Sequence, residues 1–110
     1  MADHTLGDFE QLVLLAILRL GDNAYGVTIR EEIAAKTTRD PSPGALYTTL
    51  ARLEEKGLLK SRLGDPTPDR GGRAKRFVKL TTNGIAAITQ AQRAYQNLLQ
   101  GVSLHGVVHG

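Results

Sequence analysis

Residues 42–58 read SPGALYTTLARLEEKGL, and the fold follows from this stretch. Ser42 is suited to cap the free N–H groups of a helix start, and Pro43 then takes the first helical position, where its missing donor is no loss. Gly57 is the matching stop. Between these signals Leu46, Leu50 and Leu53 recur at i, i+4 and i+7, which places them on one narrow stripe that must face a core. At about 100° per residue the opposite arc carries Gly44, Ala45, Thr48, Ala51, Arg52 and Glu55, with Tyr47 at its edge. Near its N-terminus this outward face is small, uncharged and hydrogen-bonding, whereas most solvated helix faces are rich in Lys and Glu. It is suited to approach another surface closely.

Upstream, residues 8–20 carry Phe9, Leu12, Val13, Ala16 and Leu20 at helical spacing, between a start at Gly7-Asp8 and a stop at Gly21. Leu14, Leu15, Ile17 and Leu18 make this first helix apolar nearly all round, so it is expected to be buried on several sides, as a central helix or partly beneath a second subunit. A second helix is expected over 25–35, with Ile29 and Ile33 inward and Arg30, Glu31 and Glu32 facing water, followed by a polar break at 37–41. Downstream of Gly57 the pattern changes to short strands over 58–63 and 74–80; in the latter Lys75, Phe77 and Lys79 alternate with Arg76, Val78 and Leu80. The linker GDPTPDRGGR holds two Pro, three Gly and no apolar side chain, which describes a hairpin tip.

Three helices followed by a two-stranded hairpin with a basic, glycine-rich tip is the order of a winged helix-turn-helix. In that fold the third helix enters the major groove and hairpin cations meet phosphates or the minor groove. A last helix starts with Thr81 or Thr82 as cap and runs to Gln100, with Ile85, Ile88, Gln92, Tyr95, Leu99 and Val102 close to a seven-residue repeat. Its length of about 27 Å exceeds what so small a domain needs to close its core, so the apolar seam is expected to take a partner helix. The fold class is therefore mainly α with a small β-hairpin. A winged helix-turn-helix domain is expected over 1–80 (wing about 58–80), a dimerisation helix over 81–102 and a flexible tail over 103–110.

The 110 residues, 41% hydrophobic and 23% charged, suit one domain. The formal charge of +3 is unevenly distributed. Residues 1–59 hold 6 Lys/Arg against 9 Asp/Glu, residues 60–79 hold 7 against 2, and residues 80–110 hold Arg93 alone. The net charge of +5 on twenty residues points to a polyanion-facing element. Zero Cys excludes disulfides and thiolate metal sites and suits a reducing cytosol. The longest apolar run, 12–18, is far short of the roughly 20 residues that span a bilayer, and the N-terminal MADHTLGDFE lacks a basic signal-peptide region. A soluble intracellular protein without a membrane partner is expected.

FEQLVLLAIL (9–18), AYGVTIREEI (24–33), SPGALYTTLARLEEKGLL (42–59) and GGRAKRFVKLTTNG (71–84) together resemble the PadR family of bacterial transcriptional regulators, over roughly residues 6–100. The most specific pieces are Ser42-Pro43-Gly44-Ala45-Leu46-Tyr47 leading into Leu50, Arg52, Leu53, Glu54 and Gly57-Leu58, and Arg76-Phe77 with Leu80-Thr81 and Gly84. The resemblance implies a winged-helix homodimer that binds a palindromic operator in double-stranded DNA, usually as a repressor. Ser42, Gly44, Ala45, Tyr47, Thr48 and Arg52 are then the DNA-facing residues of the third helix, with Tyr47 reaching a phosphate. The wing candidates are Arg70, Arg73, Lys75 and Arg76, of which Arg70 and Arg73 flank the tip glycines and suit the minor groove. The expected dimer interface comprises Leu12, Leu15, Ile85, Ile88, Tyr95, Leu98, Leu99 and Val102, and the resemblance places any small-molecule effector near it. Two departures stand out. A single C-terminal helix replaces the several-helix bundle of many members, and Thr48 stands where a Pro is frequent.

Catalysis has little to draw on. Ser42, Ser61 and Ser103 are the only serines, and His4, His105 and His109 all lie in terminal segments, a poor basis for a Ser-His-Asp arrangement. Gly106 disfavours the helix that would pair His105 with His109 on a metal. No phosphate-binding glycine loop occurs, so neither a cofactor nor an enzymatic role is expected. The remaining alternative is a winged-helix module that binds a protein partner through its apolar stripes and leaves the basic hairpin as a solubilising arm. Single-stranded or RNA binding fits poorly with five aromatic residues.

Overall fold

The apolar first helix becomes the centre of the structure: α1 (Asp8–Leu20) buries Val13, Leu14, Ala16 and Ile17 and is packed by every other helix and by the second strand. The computed structural model describes residues 5–64 and 74–104. After α1 come a 3₁₀ turn (Gly21–Asn23), α2 (Gly26–Lys36), α3 (Pro43–Glu55), β1 (Leu59–Leu63), β2 (Arg76–Leu80) and α4 (Thr82–Leu99). This is the expected mainly helical winged-helix fold with one antiparallel hairpin.

Each element starts where a backbone donor finds a partner. At α1 the Glu10 carboxylate accepts the Gly7 N–H at 2.9 Å, and its second oxygen accepts Lys56 Nζ, just beyond α3, at 2.9 Å. Burial pushes the Glu10 carboxyl up, but the Gly7 hydrogen bond and the Lys56 ammonium outweigh it and hold the group below its ordinary 4.5. α2 starts one residue later than the expected 25–35 because Tyr25 is its cap, its N–H bonded to Thr28 Oγ1 at 3.0 Å. Arg30 and Glu32, expected in water, are half-buried. Arg30 donates to the Pro41 carbonyl at 2.9 Å and Glu32 pairs with Arg19 at 2.6 Å, so both side chains lie against neighbouring segments.

Leu46 and Leu53 of α3 are fully buried and Leu50 partly so, as the stripe requires. Thr49 joins them in the core. Gly57 turns the chain with φ +78°, in the region that favours glycine. β1 and β2 pair with Leu59 opposite Leu80, Lys60 opposite Lys79, Ser61 opposite Val78, Arg62 opposite Phe77 and Leu63 opposite Arg76. Both strands begin slightly later than the expected 58 and 74, because Leu58 is engaged at the helix ends: its N–H donates to the Leu53 carbonyl and its carbonyl accepts the Thr81 N–H. On the other side of β2 the Val78 N–H donates to the Ala24 carbonyl at 2.9 Å, tying the wing to the start of α2.

α4 is docked by its first turns only. Thr81 caps it, accepting the Gly84 N–H at 3.0 Å, and Thr81 Oγ1 also donates to the Gly57 carbonyl at 2.6 Å. Gly84 sits so close to Leu58 that a Cβ there would meet the Leu58 carbonyl oxygen at 2.1 Å. Ile88 is buried at 3% exposure in the domain core. Beyond Gln92 every described residue is exposed. The projecting end raises the radius of gyration to 16.3 Å and the longest dimension to 58 Å, against about 13 Å for a compact chain of this length. Among the described residues no helix is long and apolar enough to cross a membrane.

Candidate nucleic-acid interface

Ser42 adopts an extended conformation and its Oγ accepts the Ala45 N–H at 3.1 Å, with Pro43 at the first helical position. The bond from Arg30 to the Pro41 carbonyl fixes the approach to this cap. From it α3 presents Gly44, Ala45, Tyr47, Thr48, Ala51 and Arg52, all exposed, while Leu46 and Leu53 hold the opposite side in the core. Around Gly44 nothing lies within 4 Å of the space a Cβ would fill. The surface is a capped helix with a shallow, nearly uncharged N-terminal half and one cation, Arg52, on its next turn.

Tyr47 is 59% exposed, yet its ring is fixed. It lies across Gly26, where a Cβ would meet the Tyr47 hydroxyl at 2.8 Å. The hydroxyl therefore sits at the first turn of α2, whose free N–H groups favour an anion. Beside them Lys75 is half-buried, its Nζ 4.6 Å from the Tyr25 ring centroid, and Tyr25 meets Phe77 edge-on at 5.4 Å between centroids. Tyr25 and Gly26 thus join the site although the sequence reading assigns them no role. The signal was present in the AYG of residues 24–26, but its meaning depends on Tyr47, which lies on another helix.

The wing cations separate. Arg76 faces α3: its Nη1 donates to Ser61 Oγ at 3.0 Å, and Ser61 Oγ donates to Glu54 Oε1 at 2.6 Å. This chain runs from the wing to the third helix, above a cleft of about 220 Å³ lined by Gly26, Tyr47, Ala51, Glu54, Ser61 and Arg76 among others. Lys75 stands on the opposite face with Lys60, Arg62, Phe77 and Lys79, as the strand alternation requires. Arg70 and Arg73 lie outside the described residues. The seam expected on α4 is also divided. Ile85, Tyr95, Leu98, Leu99 and Val102 are exposed, Leu98 at 79%, and Leu12 and Leu15 of α1 are half-buried. Ile88, by contrast, points into the domain's own core.

Among the described residues no group of His, Asp or Glu is arranged to hold a metal ion. All three His lie outside them. A capped helix with a close-approach face, a basic hairpin beside it and the start of α2 under Tyr47 between them define a winged-helix DNA-binding protein. Residues 14–90 match the model of the transcriptional regulator PadR-like family, and the chain belongs to that family. A similar curated protein is the transcriptional regulator Rv3488 of Mycobacterium tuberculosis, 39% identical over 83 residues that cover 74% of this chain and 71% of that one. Among solved structures, a PadR family transcription regulator from Clostridium difficile superposes with a TM-score of 0.64 at 25% identity, over 84% of this chain and 95% of its own. A PadR-like regulator from Bacillus cereus superposes at 0.72 and 17% identity, over 93% and 92%; at that identity the likeness shows the fold. The protein is thus a DNA-binding transcriptional regulator and not an enzyme, and a purely protein-binding module is no longer needed to explain it.

Proposed function

We propose that the protein acts as a homodimeric repressor, its two copies of α3 set by a two-fold axis into successive major grooves of a palindromic operator. The observation that carries this is the projecting half of α4. Tyr95, Leu98 and Leu99 form an apolar stripe on a helix that the domain itself leaves uncovered, and Val102 is exposed just beyond its end. Pairing with the same stripe of a second copy, over Ile85 and the half-buried Leu12 and Leu15, removes it from water. Half-sites are then about one turn, roughly 34 Å, apart. A dimer covering two turns of a promoter excludes polymerase from it, which favours repression.

In this reading Gly44, Ala45, Thr48 and Arg52 face the groove, Ser42 and Tyr47 belong to its phosphate edge, and Lys75 is a phosphate candidate on the other face of the wing. Arg70 and Arg73 are the minor-groove candidates, and Arg76 holds the wing against α3. A small-molecule effector suits the apolar groove of about 630 Å³ that runs beside α4 between Leu6, Gln11, Ala91, Ala94, Tyr95 and Leu98. Occupancy there changes the angle between subunits and so the spacing of the two α3 helices. The test is a duplex selected by the protein from a random library. Thr48→Ala and Arg52→Ala should each weaken it by about 1–3 kcal/mol where the side chain reads a base edge, and by less, without sequence preference, where it holds a phosphate. Two folded variants that bind with wild-type affinity refute the assignment.

A further inference from the structure

The face of the hairpin turned from α3 carries three cations to which the DNA-binding reading gives no part: Lys60, Arg62 and Lys79. Residues paired across an antiparallel ladder point the same way, so Lys60 with Lys79 and Arg62 with Phe77 lie opposite the side of the buried Leu59, Val78 and Leu80. The 3₁₀ turn after α1 borders this face, because the Val78 N–H donates to the carbonyl of Ala24, the residue just past that turn. Between turn and hairpin lies a cleft of about 270 Å³. Gly21 and Asp22 line it from the turn, and Lys60, Arg62, Phe77 and Lys79 from the hairpin.

The charges around this space do not neutralise one another. Lys60 stands directly across the ladder from Lys79, an arrangement that destabilises a hairpin. Arg62 is held by an aromatic ring and not by an acid, its guanidinium 4.7 Å from the Phe77 ring centroid. Asp22 is the one acidic lining residue, yet among the described residues it pairs with none of the three cations, nor they with any other carboxylate. Opposite charges that line one cleft and stay apart leave room for a third group between them. Three cations against one carboxylate favour a ligand with two negative groups. Asp22 is an acceptor only, so the same ligand must also supply a donor.

We propose that the cleft binds a small hydroxylated organic dianion, its negative groups on Lys60, Arg62 and Lys79 and a hydroxyl donating to Asp22. The volume lies just below the roughly 300–1,000 Å³ of drug-sized sites, which suits a metabolite of a few carbons. Hydroxydicarboxylates and sugar phosphates share this chemistry. The site is distinct in place and polarity from the apolar groove beside α4. A ligand held there adds to the bond between Val78 and Ala24 a second tie between the wing and the connection from α1 to α2. The wing is then stiffer when the cleft is filled.

The experiment titrates the full chain calorimetrically with malate and with glycerol 3-phosphate, each beside its counterpart without hydroxyls, succinate and propyl phosphate. Ionic strength is held constant with chloride, so that bulk screening is the same throughout. Malate or glycerol 3-phosphate should bind saturably, one per chain, and raise the melting temperature. Malate as the tighter of the two assigns a hydroxydicarboxylate, and glycerol 3-phosphate a phosphate ester. The tighter anion should exceed its counterpart by about tenfold, as one hydrogen bond to a charged group provides. Asp22→Ala should bring the two to equal affinity. Lys60→Thr with Lys79→Thr should weaken binding by about tenfold or more and melt no lower than wild type, because a repulsive pair is gone. No saturable binding by either hydroxylated anion overturns the proposal, as does unchanged affinity in the lysine variant or a counterpart that binds equally well to wild type. A duplex selected from a random library should leave the anion bound, since the cleft faces away from α3. Strict competition between duplex and anion would give the cleft to DNA and likewise overturn the proposal. The titrations need no DNA, so failure of the operator reading is recognised separately.

Discussion

Replacing Gly84 by Ala tests how α4 is fixed to the winged domain. The added Cβ would lie 2.1 Å from the Leu58 carbonyl oxygen and 3.0 Å from its carbon. Both are backbone atoms, so no rotamer change relieves the contact, and α4 must retreat by about 1 Å. Overpacking of this kind costs about 1–3 kcal/mol and occasionally more. The retreat also strains two bonds that hold the junction, from the Thr81 N–H to the same Leu58 carbonyl and from the Gly84 N–H to Thr81 Oγ1, each 3.0 Å; loss of such a cap adds about 1 kcal/mol. The better helix propensity of Ala returns about 1 kcal/mol. A net loss of about 2 kcal/mol remains, which lowers the melting temperature of a chain this size by about 10 °C. Thermal unfolding by circular dichroism reads the effect, and sedimentation of the folded fraction shows whether the displaced helix still pairs. A variant that melts with or above the wild type would refute the close approach of α4 to Leu58.

Gly44→Ala should separate stability from function. The space is open, so the chain gains about 0.5–1 kcal/mol. Operator affinity falls because the methyl group projects from the groove-facing side; unchanged affinity in a binding assay would place the start of α3 away from DNA. Leu99→Asp should convert a dimer at micromolar concentration to a monomer with weakened operator binding and unchanged helicity, since Leu99 is exposed in the single chain; sedimentation checks it, and a dimeric variant removes the α4 seam from the interface. Glu10→Gln should lower stability near neutral pH by about 1–2 kcal/mol through loss of the charged bond to Lys56. The Glu10 pKa is lowered in the folded state. Its contribution is therefore present above the unfolded value and lost as pH falls through the folded one, so denaturant midpoints of variant and wild type should converge below about pH 4. Curves that stay parallel to lower pH would place the pair outside the stability of the fold.

What could be read from the sequence was local. α3 was legible from both ends because Ser42-Pro43 and Gly57 act within a few residues of themselves, and its inner stripe needs only the helical period. The hairpin faces were legible from alternation. The consequence of that alternation was not: that Arg76 meets Ser61 and Glu54, while Lys60 faces Lys79, depends on a strand register that no short window contains. Tyr25 and Gly26 were overlooked for the same reason, because Gly26 is small to accommodate Tyr47 from a helix that begins seventeen residues later.

Ile88 shows where periodicity misleads. At about 100° per residue it lies within about 20° of Tyr95 and Leu99 on the helix wheel, so these three residues form one stripe by any sequence criterion. Their environments differ because the domain ends partway along α4. The stripe's first turns cover the core with Gly84 and Ile88, and its later turns leave the domain with Tyr95, Leu98 and Leu99 bare. One continuous apolar surface thus serves the fold and then the proposed subunit contact. In the proposed dimer the helix that sets the spacing of the two α3 copies is consequently anchored by core residues, so a change at Ile88 or Gly84 should alter that spacing as well as the stability of the domain.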